Sequence, residues 1–259
     1  MLERWLVGRR IRSARAPDGR IRGASPRRRF ERSLEGATVK SVGRRGKFLV
    51  IDLGKRRPSI VAHLGMTGKF VRLEPPVEPP RFVRVELSLG RGERVVLQDA
   101  RRLGQFRWLD ARERRRLSAL GIEPLSKALT PRSFASLAAR SSQPIKLFLM
   151  DQKKIAGIGN IHAAEALFLA KIHPGRSARS LAPDEIARLV AALRRELRRE
   201  LARFRSGGLD YLHEGAENAF RVYGRAGEAC RRCGTKVARF VQGGRSSYYC
   251  PSCQPEKRT

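Results

Sequence analysis

The stretch CRRCGTKVARFVQGGRSSYYCPSC, residues 230–253, decides how the C-terminal end of the chain folds. It holds all four cysteines of a 259-residue chain, as Cys230-x2-Cys233 and Cys250-x2-Cys253 with sixteen residues between the pairs. Two knuckles at this separation suit tetrahedral thiolate binding of one Zn²⁺. Val237–Val241 and Ser246–Tyr249 read as short strands flanking Gly243-Gly244, a β-hairpin whose ligand pairs meet at its base. Two disulfides or a redox-active pair are the alternatives. Zinc is favoured because the cysteines occur only in paired knuckles and the opening MLERWLVGRR lacks the apolar stretch of a secretory signal. Four protein ligands leave the ion no open position, so its role is structural. Arg245 follows the turn, where its guanidinium either reaches a phosphate or faces solvent.

Upstream of the knuckles the pattern is helical. Ile186, Leu189, Val190, Leu193, Leu197, Leu201 and Phe204 recur at helical spacing, with Asp184 and Glu185 in the first turn and Gly207-Gly208 as the stop. Pro144–Ala170 reads as two apolar helical stretches interrupted by Ile155-Ala156-Gly157-Ile158-Gly159-Asn160. The Gly157-x-Gly159-Asn160 turn opens a helix, so it is either a backbone phosphate site or only a tight connection. It lacks the P-loop lysine and the full dinucleotide pattern. Thr130-Pro131 caps another helix. Residues 8–109 read as short β segments: Thr38–Val42, Phe48–Leu53, Ser59–His63, Phe82–Leu89, Arg94–Gln98 and Gln105–Leu109. Their spacing is that of an antiparallel sandwich or barrel. The expected class is α+β, with a β-sandwich domain over 1–120, a helical domain over 121–221 and a zinc-ribbon module over 222–259.

Charge narrows the partner. The chain has 56 Lys+Arg against 24 Asp+Glu, a net charge of +32. Residues 1–126 carry 31 basic and 13 acidic groups, and residues 127–259 carry 25 and 11, so the excess runs through the folded body. Arginine supplies 45 of the 56 cations, a bias that a GC-rich genome also produces, but that origin does not explain the shortage of acids. A polyanion, most simply nucleic acid, is the expected partner. The apolar runs, such as Leu147–Met150, fall far short of the roughly 20 residues of a membrane span.

With these residues in view, the chain resembles the formamidopyrimidine-DNA glycosylases, a family that also contains endonuclease VIII. The likeness runs nearly end to end. It is carried by LVGRRI (6–11), GRRGKFLV (43–50), HLGMTGKF (63–70), DARRLG (99–104), GIEPL (121–125), IKLFLMDQKKIAGIGNIHAAEALF (145–168), IHP (172–174), VYGRAGEACRRCG (222–234) and GRSSYYCPSCQ (244–254). The resemblance implies a monomeric bacterial base-excision repair enzyme of the cytoplasm and nucleoid, with a helix–two-turn–helix in its helical domain. Its implied partner is double-stranded DNA containing oxidised bases (formamidopyrimidines, 8-oxoguanine) or abasic sites, and no membrane. Such an enzyme flips the damaged nucleotide out, cleaves the N-glycosidic bond and then cuts the backbone by β,δ-elimination through a Schiff base. By the same resemblance Met66 fills the vacated stack, Arg101 pairs with the widowed base and Leu103 is the third inserting residue, with Arg102 beside it in the DNA-binding set. Lys47, Asn160 and Arg245 grip phosphates, while Lys146 and Glu165 lie near the lesion. Ordinary core packing is the alternative for Met66.

Two departures from the family pattern bear on activity. Family members begin Met-Pro-Glu, and the exposed proline amine is the nucleophile while the glutamate is the acid/base. This chain reads Met1-Leu2-Glu3-Arg4-Trp5 and joins the pattern just before LVGRRI, so that pair is absent, and the expectation is a start placed too late. A terminal amine suits the chemistry because its pKa is about 7.7–8.0, against about 10.4 for lysine. Lys47, near Arg44 and Arg45, is the alternative amine. Between Gly208 and Val222, LDYLHEGAENAFR is shorter than the family segment that caps 8-oxoguanine; Asn218 and Phe220 are candidate replacements. Two further readings therefore stand beside the glycosylase: an inactive damaged-DNA binder, and an endonuclease VIII-like enzyme preferring oxidised pyrimidines. A ribosome- or RNA-associated zinc ribbon has the charge but gives no reason for HLGMTG or DARRLG.

Overall fold

The computed structural model describes residues 1–205 and 219–256. The Gly207-Gly208 stop, Asn218 and the rest of the connection before Ala219 lie outside the described residues. The chain divides into two compact units, Met1–Ala119 and Leu120–Thr259.

The first unit opens with α1 (Leu2–Leu6) and β1 (Ser13–Arg15), followed by α2 (Gly19–Arg22) and α3 (Arg27–Leu34). Seven more strands follow: β2 (Ser41–Arg45), β3 (Phe48–Asp52), β4 (Ile60–His63), β5 (Lys69–Leu73), β6 (Val83–Gly90), β7 (Glu93–Gln98) and β8 (Gln105–Trp108), and then α4 (Ala111–Ser118). They form two four-stranded antiparallel sheets, β1-β6-β7-β5 and β2-β3-β4-β8. This is a β-sandwich. Its two layers share one apolar core, in which Phe70 of β5 meets Phe106 of β8 with ring centroids 6.3 Å apart. Alternation along β6 buries Val85, Leu87 and Leu89 and turns the residues between them outward. Helix α3 closes the core with Phe30 and Leu34, an i, i+4 pair on one face of an otherwise basic helix.

Several local expectations shift. The strand expected at Thr38–Val42 runs instead over Ser41–Arg45, because a two-residue turn at Gly46-Lys47 pairs Arg45 with Phe48 and sets the register. Gly46 takes the left-handed backbone that this turn demands (φ 54°). Strands β1 and β5 and helices α2, α3 and α4 were not expected. Ser-Ala-Arg in β1 carries no β-forming signal, and its partner Ser88 lies 75 residues away.

The second unit contains α5 (Pro131–Ala138), α6 (Ile145–Met150), α7 (Asn160–Ala170), a 3-10 turn at Ala178–Ser180, α8 (Pro183–Arg205), β9 (Ala238–Gln242) and β10 (Arg245–Tyr249). Thr130 caps α5 through a reciprocal capping box with Ser133, and Pro131 occupies the first turn. The apolar faces of α5 to α8 enclose a core containing Phe134, Phe148, Leu167, Leu189 and Leu193. Strands β9 and β10 pair antiparallel from Arg245↔Gln242 to Tyr249↔Ala238. This hairpin packs onto α7, sharing an apolar cluster with Ala164, Phe168, Val222 and Val237. Gln254 anchors its far end, donating to the Ile172 carbonyl at 2.8 Å and accepting from the Cys250 N–H at 3.0 Å.

Candidate nucleic-acid interface and metal centre

The four cysteine Sγ atoms lie within 4.8 Å of one another at the base of the hairpin. Cys233–Cys250 and Cys233–Cys253 are 3.4 and 3.5 Å apart. A tetrahedral Zn²⁺ with bonds of about 2.3 Å spaces its sulfurs by about 3.8 Å, so the cluster fits the ion with a small expansion. Its proton affinities show why a cation belongs there. Burial, and then the hydrogen bonds with Cys233 and Cys250, push the Cys253 thiol up to about 12. Hydrogen bonds from Thr235 bring Cys233 down to about 6. Four thiolates this close repel one another, and a divalent cation relieves the repulsion. One structural zinc therefore fits the Cys230, Cys233, Cys250 and Cys253 set.

At the other end of the hairpin, the turn rests on the helices. A side chain at Gly243, whose φ is 55°, would place its Cβ 2.9 Å from Leu147 Cδ2 of α6. The Ser246 carbonyl accepts from Lys146 Nζ at 2.8 Å and from Asn160 Nδ2 at 3.2 Å. Arg245, the preceding residue, is exposed. Asn160 opens α7 after Gly159, which offers no side-chain cap to the positive end of the helix. Gln152 braces the glycine turn. Its Oε1 accepts from the Gly157 N–H at 2.8 Å, and its Nε2 donates to the carbonyls of Met150 and Ile158, both at 2.8 Å. The structure thus brings Asn160 onto the carbonyl of the residue that follows Arg245.

Lys146 and Glu165, which the resemblance sets near the lesion, are both fully buried within this unit. Glu165 accepts the backbone N–H groups of Arg221, Val222 and Tyr223 at 2.9–3.1 Å and also pairs with the Arg221 guanidinium. It anchors the chain where it returns from the connection to the first knuckle. Phe220, also buried, packs edge-on against Tyr223 with centroids 5.7 Å apart.

In the first unit, Met66 and Leu103 are 63% and 45% exposed, far from the core packing that was the alternative for Met66. They stand on two turns held together by Asp99. This buried carboxylate accepts from Thr67 Oγ1 at 2.5 Å and from the Gly104 N–H at 2.7 Å. Arg101 N–H reaches Thr67 Oγ1 at 3.3 Å, and a Cβ at Gly65 would lie 2.7 Å from the Leu103 carbonyl carbon. Met66, Arg101 and Leu103 are therefore presented side by side. Arg102 is not part of that presentation. Its left-handed backbone (φ 56°) turns it to Asp18, which it binds in a two-pronged ion pair at 2.6 and 2.9 Å. Arg102 positions the turn through that pair.

Lys47 is exposed at the β2–β3 turn. His63, at the end of β4, takes the Gly65 N–H on Nδ1 at 3.0 Å and packs against Phe48 at 4.9 Å. Burial, then the charges of Lys47 and Arg116, lower the proton affinity of its imidazole. These two cations and a neutral histidine make a third basic surface beside the Met66 turn.

Comparison with known proteins decides the relationship. Residues 1–106 match the formamidopyrimidine-DNA glycosylase N-terminal domain, residues 120–208 its H2TH domain, and residues 227–255 a zinc finger found in FPG and IleRS. The chain belongs to the formamidopyrimidine-DNA glycosylase family. A formamidopyrimidine-DNA glycosylase of Thioalkalivibrio sulfidiphilus is 36% identical over 98% of this chain and 95% of its own length. One of Xanthomonas oryzae pv. oryzae is 38% identical over 96% and 93%. A Lactococcus lactis Fpg solved with abasic-site DNA superposes with a TM-score of 0.86 at 26% identity, covering 98% of this chain and 96% of that one. Another, holding Fapy-dG DNA, gives 0.85 at 28% identity, with coverage of 98% and 96%.

Within this glycosylase frame, four contributors were missed in the sequence: Asp99, Thr67, His63 and Asp18. The first three sit inside the quoted HLGMTGKF and DARRLG motifs, so their signal was present but unassigned. Asp18 had no signal, since its partner Arg102 is 84 residues away. Among the described residues, no helix is long and apolar enough to cross a membrane.

Proposed function

We propose that this chain is a DNA-repair glycosylase that removes oxidised bases, formamidopyrimidines and 8-oxoguanine among them, and then cleaves the abasic site. The observation that carries this is whole-length likeness to a Lactococcus lactis Fpg solved with Fapy-dG DNA, joined to two exposed apolar side chains on clamped turns. A base stacked in a duplex is out of reach, and unstacking it costs a few kcal/mol. Met66 and Leu103 enter the vacated space, burying apolar surface that offsets that cost, and Arg101 hydrogen-bonds the widowed base. Lys47, Asn160 and Arg245 hold phosphates, which fixes register without reading sequence. The zinc keeps the ribbon folded and takes no part in the chemistry.

Cleavage needs a neutral amine that attacks C1′, releases the base and leaves an imine from which β- and δ-elimination follow. The inactive-binder and endonuclease VIII-like readings are not favoured by these relatives. A DNA substrate places the protein with the nucleoid, in the bacterial cytoplasm. The test is base release from duplexes carrying a formamidopyrimidine, 8-oxoguanine or an oxidised pyrimidine, with borohydride reduction of the imine on abasic-site DNA. An adduct that survives Lys47→Ala excludes Lys47 as the amine, and one that is lost assigns it to Lys47. Tight binding with neither base release nor adduct would leave the inactive binder.

A further inference from the structure

Lys146 is a buried cation with two neutral acceptors. Its Nζ donates to the Ser246 carbonyl at 2.8 Å and to Ser247 Oγ at 2.7 Å. Such a charge is expensive compared with an apolar side chain of similar volume, and α6 around it (Ile145, Leu147, Phe148) is apolar. Stability alone would favour leucine there. What distinguishes the lysine is where its hydrogen bonds go: to the two residues after Arg245, the first of which also accepts from Asn160 of α7 at 3.2 Å. Asn160 Oδ1 is itself buried without a partner, so the amide is oriented by that single donation.

We propose that Lys146 is a positioning residue for the phosphate grip: with Asn160 it locks the Ser246 carbonyl so that the Arg245 guanidinium and the N-terminal end of α7 bear on one stretch of DNA backbone. This rests on the DNA-binding function argued above, and Lys146 touches no DNA itself. A proton linkage follows from the same geometry. From β10 the ammonium faces Arg245 and two serine acceptors, from α7 the neutral Asn160 amide, and from α6 apolar side chains. Burial, and then Arg245, bring its proton affinity down to about 8. A phosphate arriving at this grip supplies the missing negative charge and raises that affinity, so binding takes up a proton above pH 8.

The test measures Kd for a duplex with an uncleavable abasic analogue between pH 6.5 and 9.5. It compares the full chain with Lys146→Met, Arg245→Ala and the double variant, with zinc content checked throughout. Wild-type binding should weaken as pH rises through about 8, and Lys146→Met should flatten that dependence. At pH 7, Lys146→Met should weaken binding roughly tenfold, yet change it little when Arg245 is already alanine. Additive effects of the two substitutions, or a Lys146→Met variant with wild-type Kd and pH profile, would overturn the proposal. If Lys146→Met fails to fold or to hold zinc, Ser247→Ala takes its place in the cycle, and a wild-type Kd that stays flat to pH 9.5 overturns the proposal unaided. A wild-type chain that binds no duplex at any pH overturns the underlying DNA-binding function instead.

Discussion

Replacing Asp99 by alanine should loosen the two inserting turns while leaving the phosphate grip intact. Asp99 is fully buried and receives hydrogen bonds from Thr67 Oγ1 at 2.5 Å and from the Gly104 N–H at 2.7 Å, with the backbone of Leu103 and Arg101 also directed at it. A hydrogen bond to a charged group contributes about 1.5–3 kcal/mol, and a buried donor left unpaired costs about 1–3 kcal/mol. Thr67 is exposed and can turn to water, so the loss centres on Gly104, which is buried. The expected destabilisation is about 2–4 kcal/mol, or roughly 8–16 °C in the melting midpoint of a unit this size. Met66 and Leu103 would then enter the helix less reliably. Burying one such side chain is worth about 1.5–3 kcal/mol, so preference for abasic over undamaged duplex should fall at least about tenfold. The salt slope of log K, set by phosphate contacts, should not change. Calorimetry and paired binding titrations read both quantities. Equal losses on damaged and undamaged DNA, or an unchanged midpoint, would refute the clamp. The acid limb offers a second check. Burial pushes the Asp99 carboxyl up, but hydrogen bonds from Thr67 and from the backbone of Gly104, Leu103 and Arg101 outweigh it and hold the group below its ordinary value. Its contribution is thus present above about pH 4 and lost as pH falls through the lowered native value. Asp99→Asn, which keeps the shape, should remove that part of the acid transition.

Other substitutions separate the remaining roles. Cys233→Ser should lose zinc and DNA binding together, since the ribbon folds around its metal; metal analysis showing a full equivalent would contradict the tetrathiolate site. Arg245→Ala should weaken binding to every duplex and lower the salt slope by about one, whereas an unchanged slope would mean the guanidinium only faces solvent. Glu165→Leu leaves three backbone N–H groups and Arg221 without their acceptor and should cost about 3 kcal/mol or more in the second unit, read by urea titration. Met66→Ala should spare stability, because the side chain is 63% exposed, and reduce lesion preference alone.

The ribbon was legible because its information is local: ligand spacing, a glycine turn and two short strands fall within one run of 24 residues, 230–253. Helix α8 was legible because its apolar period persists over several turns, which a single element records by itself. The sandwich class was visible in the spacing of its strands, but β1 and β5 were not, since pairing with distant partners and not their own composition makes them strands.

What the sequence determined by itself was the metal site, the class of fold, the polyanionic partner and the family motifs, all carried by composition and short-range pattern. Tertiary structure alone decided what the polar motif residues do. Lys146 meets Ser246 across 100 positions, Glu165 meets Val222 across 57, and Arg102 meets Asp18 across 84. A charged residue in a motif carries no mark of whether it will face DNA or be buried as a strut. That outcome depends on whether a distant segment brings acceptors close enough to replace water, and only the folded chain settles it.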